Sequence, residues 1–171
     1  MLQSRLTPAS LRKLKICGQE AERLASEADI IIPRRQDLRN MAEKFQDPVD
    51  QYRRAPYLHI EALKHLAELI DERPPEYSAA LRRFLRGHEC CFCNMYILRS
   101  DIFRESCGWM FPILEEFCER TDMSLYSREA LRTPGHLAER MFNIFLIRYL
   151  EEHPQTRVKE LLVAEFQNTE P

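Results

Sequence analysis

Glycine and tryptophan are scarce in this chain: four glycines and one tryptophan in 171 residues. Loops that cradle phosphate with backbone amides need closely spaced glycines. No such loop, no Walker-type motif and no Ser/His/Asp order of hydrolase residues occurs. No Asp-x-Asp pair is present either, so the sequence assigns no residue to a divalent ion. Neither sign of charge dominates. The 25 Lys and Arg against 27 Asp and Glu give a formal net charge of −2, which excludes a global basic field for nucleic acid or an anionic bilayer. No apolar run is long enough to cross a membrane: the best, Met141 to Leu150, carries Asn143 and Arg148, so membrane association would be peripheral. The six cysteines, Cys17, Cys90, Cys91, Cys93, Cys107 and Cys118, lack the regular spacing of a disulfide framework, and no apolar leader suggests export. These features describe a reduced, cytoplasmic protein, long enough for one domain with a real core.

What is present is mostly helical periodicity. Residues 8–28 read as a helix, followed by a short strand through Ile30-Ile31-Ile32 that Pro33 terminates and that exits into the basic turn Arg34-Arg35. Residues 36–56, with Pro48 and Pro56 as breakers, read as a long loop with about one helical turn. Leu63, Leu66, Ala67 and Ile70 define a helix over 58–72, stopped by Arg73-Pro74-Pro75. Tyr77, Ala80, Leu81, Phe84 and Leu85 define a second, ended by Gly87, and the two form a helical hairpin. Phe92 to Leu98 reads as a strand. Ser100-Asp101 offers the N-cap of a long helix kinked or interrupted at Gly108 or Pro112, and a loop from Thr121 to Pro134 precedes the last helix. Arg157 to Phe166 reads as a closing strand. The expected fold is helix-rich α/β, with three short strands that need each other or a sheet supplied from elsewhere.

The last helix carries the most informative pattern. At about 100° per residue, Glu139, Arg140 and Asn143 fall within a sector of roughly 100°, while Leu137, Met141, Phe142, Ile144 and Phe145 occupy the other sides. A charge on an apolar helix costs several kcal/mol unless paired, so this trio either satisfies itself structurally or faces a polar ligand. Glu139 is the best carboxylate for chemistry, and a structural ion pair with Arg140 is the competing reading. Arg34 and Arg35 could grip a diphosphate with guanidinium forks, or form a solvated turn. Asn94 could offer its amide to a sugar hydroxyl, or cap a turn. Trp109 could stack on a sugar ring, or lie in the core. His88, Cys90, Cys91 and Cys93 carry zinc-ligating groups, but without the second ligand pair that structural zinc sites use.

Several segments occur in a recognisable order: Ile31-Ile32-Pro33-Arg34-Arg35, Asp50-Gln51-Tyr52, Pro75-Glu76-Tyr77, Asn94-Met95-Tyr96-Ile97-Leu98, Trp109-Met110-Phe111-Pro112-Ile113-Leu114, then Arg132, Gly135, Glu139, Arg140 and Asn143. In this the chain, from about residue 25 to 166, resembles a bacterial domain family, formerly of unknown function, associated with glycosyltransferases of capsular and exopolysaccharide synthesis. It departs from the family's usual shorter spacing at Glu89-Cys90-Cys91-Phe92-Cys93. The resemblance implies one partial domain over 1–171, similar to the acceptor-side, C-terminal half of a nucleotide-sugar glycosyltransferase (GT-A-like) domain. The upstream half would end a strand in His-Tyr-Arg-Arg and bind the nucleotide.

By the same resemblance Glu139 is catalytic and Asn94, Arg140, Asn143, Arg34 and Arg132 bind substrate. The implied ligands are a nucleotide sugar and a glycan acceptor, with no cofactor fixed and the metal requirement open. The implied setting is the inner face of the membrane, peripheral to polysaccharide machinery. The alternatives are a non-catalytic carbohydrate-binding or assembly module, or a fragment without its nucleotide half.

Overall fold

The computed structural model describes residues 18–163. Helix α1 spans Gly18–Glu27, so the first part of the helix expected over 8–28 lies outside the described residues. Strand β1, Ile30–Pro33, is buried along its whole length. It pairs antiparallel with β4, Ile97–Leu98, through Ile30↔Leu98 and Ile31↔Ile97. It pairs parallel with β5, Val158–Leu161, from Ile30↔Val158 to Pro33↔Leu161. The three strands expected from sequence therefore do join one sheet, in the order β4-β1-β5. Residues 164–166 of the expected closing strand lie outside the described residues.

Asp29 ties this sheet together at its start. Its carboxylate accepts from the backbone N, Nε (3.1 Å) and Nη2 (3.1 Å) of Arg157 and from Nη1 of Arg99 (3.0 Å). These bonds, those of Arg157 foremost, hold the Asp29 carboxyl well below the usual carboxylate range.

Two expectations are corrected here. The stretch 36–56 is not a long loop. Gln36–Asp37 form β2, Leu38–Asn40 a 3₁₀ turn and Pro48–Arg54 helix α2. Pro48 starts that helix instead of breaking it, because at the first helical position its missing N–H costs nothing, and Asp47 caps the turn by accepting from the Asp50 amide at 2.8 Å. The strand expected over 92–98 is also shortened to its last two residues, and a separate strand lies upstream of it. Glu89–Cys90 form β3, paired antiparallel with β2, and only Ile97–Leu98 belong to the main sheet. Cys93, at φ 66°, sits in the left-handed region between them and turns the chain.

The helical hairpin is present as α3, Ile60–Asp71, and α4, Pro75–Arg86. Helix α5, Ser100–Arg120, runs through Gly108 and Pro112 as one element, and its N-cap position is Arg99, with no side-chain cap. After a 3₁₀ turn at Ala130–Arg132, helix α6 spans Thr133–Glu152. It is apolar nearly all round because it separates two cores. Leu137, Met141 and Ile144 pack with Leu66, Ile70 and Phe117 of the helical layer. Phe142, Phe145 and Tyr149 pack with Ile30, Ile32 and Ile102 beneath the sheet. Trp109 stacks on Tyr77 at 4.6 Å between ring centroids, the core alternative of its two readings. Among the described residues no helix is long and apolar enough to cross a membrane.

Candidate functional site

The N-terminal end of α6 carries a cleft of about 230 Å³ lined by Asn94, Arg132, Gly135, His136 and Glu139. Three residues singled out in the sequence meet here. Glu139 lies three residues beyond His136 and four beyond Gly135, which places all three on one helical face. Arg132 ends the 3₁₀ turn that feeds the helix; it is exposed, and no side chain among the described residues pairs with its guanidinium. Asn94 arrives from the segment between β3 and β4, not as the opening of a strand, and its Nδ2 donates to the Gly135 carbonyl at 3.1 Å.

Glu139 is partly exposed to this cleft and accepts from Nη1 of Arg140 at 2.8 Å. Arg140 itself is buried. Its Nη1 also donates to the His136 carbonyl at 3.1 Å and its Nη2 to Oε1 of Gln51. The guanidinium lies 5.2 Å from the Tyr52 ring and 5.7 Å from the Phe92 ring, so cation–π contacts complete its surroundings. Burial pushes the Tyr52 hydroxyl up to about 12, with the Arg140 charge pulling the other way. Arg140 therefore binds the second helix to the sixth and orients the Glu139 carboxylate.

Asn143 does related work one turn on. Its Oδ1 accepts from the Cys91 amide at 2.8 Å, and its Nδ2 donates to the Cys91 carbonyl at 2.9 Å and to the Glu139 carbonyl at 2.7 Å. One primary amide thus pairs both sides of a buried peptide residue, as a neighbouring strand would. Three residues along the same segment is Asn94, so Asn143 fixes one wall of the cleft without lining it. It lines instead a second opening of about 240 Å³, with Arg35, Arg83, His88 and Leu146 among its neighbours.

Arg34 is not brought to the Glu139 cleft. It is exposed at the end of β1, where its backbone N donates to the Leu161 carbonyl at 2.8 Å, while Arg35 pairs with Glu160 at 2.6 Å. Among the described residues, no group of three or more His, Cys, Asp or Glu side chains is placed to hold a metal ion. Cys90 and Cys91 are buried thiols raised by burial to about 12 and about 11. Sequence reasoning missed Gln51 and His136 as members of the constellation. The spacing of His136 from Glu139 was a usable signal for the second; nothing local marked the first.

A family model described as a domain of unknown function, DUF4422, matches residues 5–151. The chain belongs to this family. No curated protein matches it. Among solved structures it is similar to the apo structure of the bifunctional glycosyltransferase WbbM, with a TM-score of 0.90 and 27% sequence identity over 98% of the chain. The chain spans 29% of the length of that protein. The helix-rich α/β class expected from the sequence is the class observed, and this family member shares its fold with part of a glycosyltransferase.

Proposed function

We propose that this chain is the acceptor-side part of a glycosyltransferase domain for bacterial surface polysaccharide, be it capsule, exopolysaccharide or lipopolysaccharide. In this reading residues 1–171 are one partial, C-terminal domain. It works with a nucleotide-binding half in transferring a sugar from a nucleotide-sugar donor to a glycan, in the cytoplasm and peripheral to membrane-bound polysaccharide machinery. The observation that carries the reading is the convergence of Asn94, Arg132 and Glu139 on one cleft, in a fold similar to part of a bifunctional glycosyltransferase. The cleft, at about 230 Å³, falls below the roughly 300–1,000 Å³ of pockets that enclose drug-sized ligands. That size accommodates one sugar ring, as an acceptor-side subsite requires.

Glycosyl transfer passes through an oxocarbenium-like state. A carboxylate at the reacting sugar can stabilise the positive charge at the anomeric carbon or take the acceptor proton. Glu139 is the carboxylate placed at the reacting sugar, oriented by Arg140. Asn94 offers an amide to sugar hydroxyls, and Arg132 faces the cleft with a guanidinium that has no ion-pair partner among the described residues and is able to offset a departing diphosphate. In this reading Arg140 and Asn143 serve substrate binding by holding Glu139 and Asn94, and Arg34 lies apart.

Calorimetric titration of the folded chain with uridine and guanosine diphosphate sugars and with oligosaccharides, each with and without magnesium or manganese, tests the proposal. Binding of a glycan that is weakened at least tenfold in a folded Glu139→Gln variant is the expected result. Saturable binding of nucleotide sugar would move the donor site into this chain and overturn the acceptor-side assignment. Glycan binding unchanged by Glu139→Gln would remove Glu139 from the site.

A further inference from the structure

Five histidines occur in the chain, and four have a partner for the ring. His65 Nδ1 is hydrogen-bonded to Thr121 Oγ1 at 2.9 Å, and His88 Nδ1 to the Gln46 carbonyl at 2.8 Å. His59 stacks on Tyr126 at 4.5 Å between centroids, and His153 meets Tyr149 edge-on at 4.3 Å. His136 differs: among the described residues its ring has neither a hydrogen-bond nor a stacking partner, it is half-buried, and it lines the cleft with Glu139, Asn94 and Arg132. A half-buried imidazole without a partner keeps a lone pair for whatever enters the cleft.

We infer that His136 is the base of this site, the group that accepts the proton of the acceptor sugar's hydroxyl while Glu139 remains the anionic neighbour of the reacting carbon. The inference rests on the proposed glycosyl transfer. In the step, the hydroxyl oxygen bonds to the anomeric carbon of the donor sugar. The bond from that carbon to the diphosphate oxygen breaks, with the electron pair leaving on the diphosphate, and the hydroxyl proton passes to the unprotonated ring nitrogen of His136. Imidazole is better matched to this task near neutral pH than a carboxylate, whose ordinary pKa lies about two units lower. The carboxylate of Glu139 is already engaged with Arg140. The charged groups facing the ring are Glu139, which favours its protonation, and Arg140 and Arg132, which oppose it; Asn94 faces it from the β3–β4 segment. Burial is the largest influence and lowers the His136 pKa, so the neutral, proton-accepting form prevails at pH 7.

The test is a pH titration of the histidine ring resonances of the full chain by NMR between pH 5 and 8. It is run alone and with the methyl glycosides of glucose, galactose, mannose and N-acetylglucosamine, and repeated with a folded His136→Gln variant. If a ligand hydroxyl donates to neutral His136, a glycoside that binds lowers the His136 titration midpoint. Its affinity then falls as the pH drops through that midpoint, by up to tenfold per unit, and this pH dependence disappears in His136→Gln. A glycoside that perturbs the Asn94 and Gly135 amides with flat affinity and an unmoved His136 midpoint overturns the role of His136 and leaves the cleft reading standing. Failure of every glycoside to perturb any residue of the cleft in the folded chain overturns both.

Discussion

Replacing Asn143 by alanine removes three hydrogen bonds at once and strands both polar groups of the buried Cys91 residue. A typical intramolecular hydrogen bond contributes about 1 kcal/mol net, and a buried donor or acceptor left without a partner costs about 1–3 kcal/mol. The opening of about 240 Å³ beside Asn143 gives water access to some of the freed groups, which reduces the penalty. The expected loss is about 3 kcal/mol, a large share of the roughly 5–15 kcal/mol that holds a domain folded. For a domain of this size that corresponds to a melting temperature lower by roughly 6–12 °C.

Urea denaturation followed by circular dichroism measures the loss, with an unchanged slope showing that the same surface unfolds. Hydrogen exchange at the Cys91 amide should become fast in the native state. Asn143→Asp is the informative companion. Its carboxylate still accepts from the Cys91 amide but faces the Cys91 and Glu139 carbonyl oxygens, where the wild-type amide donated. In that place the carboxyl's folded pKa is raised above its unfolded value, so the variant should regain stability as the pH falls from 7 towards 5, when a proton restores one donor. A loss below about 1 kcal/mol in Asn143→Ala, with Cys91 still protected, would refute the claim that this amide holds the segment bearing Asn94.

Two further outcomes follow from other parts of the molecule. Asp29→Asn should lower stability at pH 7, because the lowered carboxyl pKa contributes stability above its unfolded value. The gap to wild type should narrow below about pH 4, where the carboxyl takes up a proton in the unfolded chain while the native one stays ionised, and an equal gap at pH 7 and pH 3 in thermal melts would contradict the Arg157 and Arg99 clasp. Native-state labelling with a thiol reagent at pH 8 should modify the exposed Cys93 while Cys90 and Cys91 react only on unfolding. Mass spectrometry of the labelled peptides reads this directly, and fast labelling of Cys91 would mean that its segment opens.

Periodicity sufficed for the long helices and for the apolar β1, since each buries a face that its own residues declare. It failed where short-range signals conflict with context. Pro48 is a breaker in mid-helix and a starter after a capping residue, and the adjacent Asp47 is what distinguishes the two. The segment 92–98 reads as one strand, yet the positive φ at Cys93 turns the chain and only Ile97–Leu98 join the main sheet, while Glu89–Cys90 upstream pair in the other. Asn94 consequently reached the cleft from a bend, not from a strand end.

The amino-acid sequence by itself determined the helix-rich α/β class, the three mutually dependent strands and the polar sector of the last helix, because spacing along one element needs no knowledge of its neighbours. Tertiary structure alone decided how that sector is divided. Gln51, Tyr52 and Phe92 come from distant parts of the chain to enclose Arg140, Asn143 is taken up by the Cys91 peptide, and Glu139 is left at a cleft beside Asn94, Arg132 and His136. The physical reason is that a buried polar group must be satisfied by something, and a helical pattern records the demand without recording the partner.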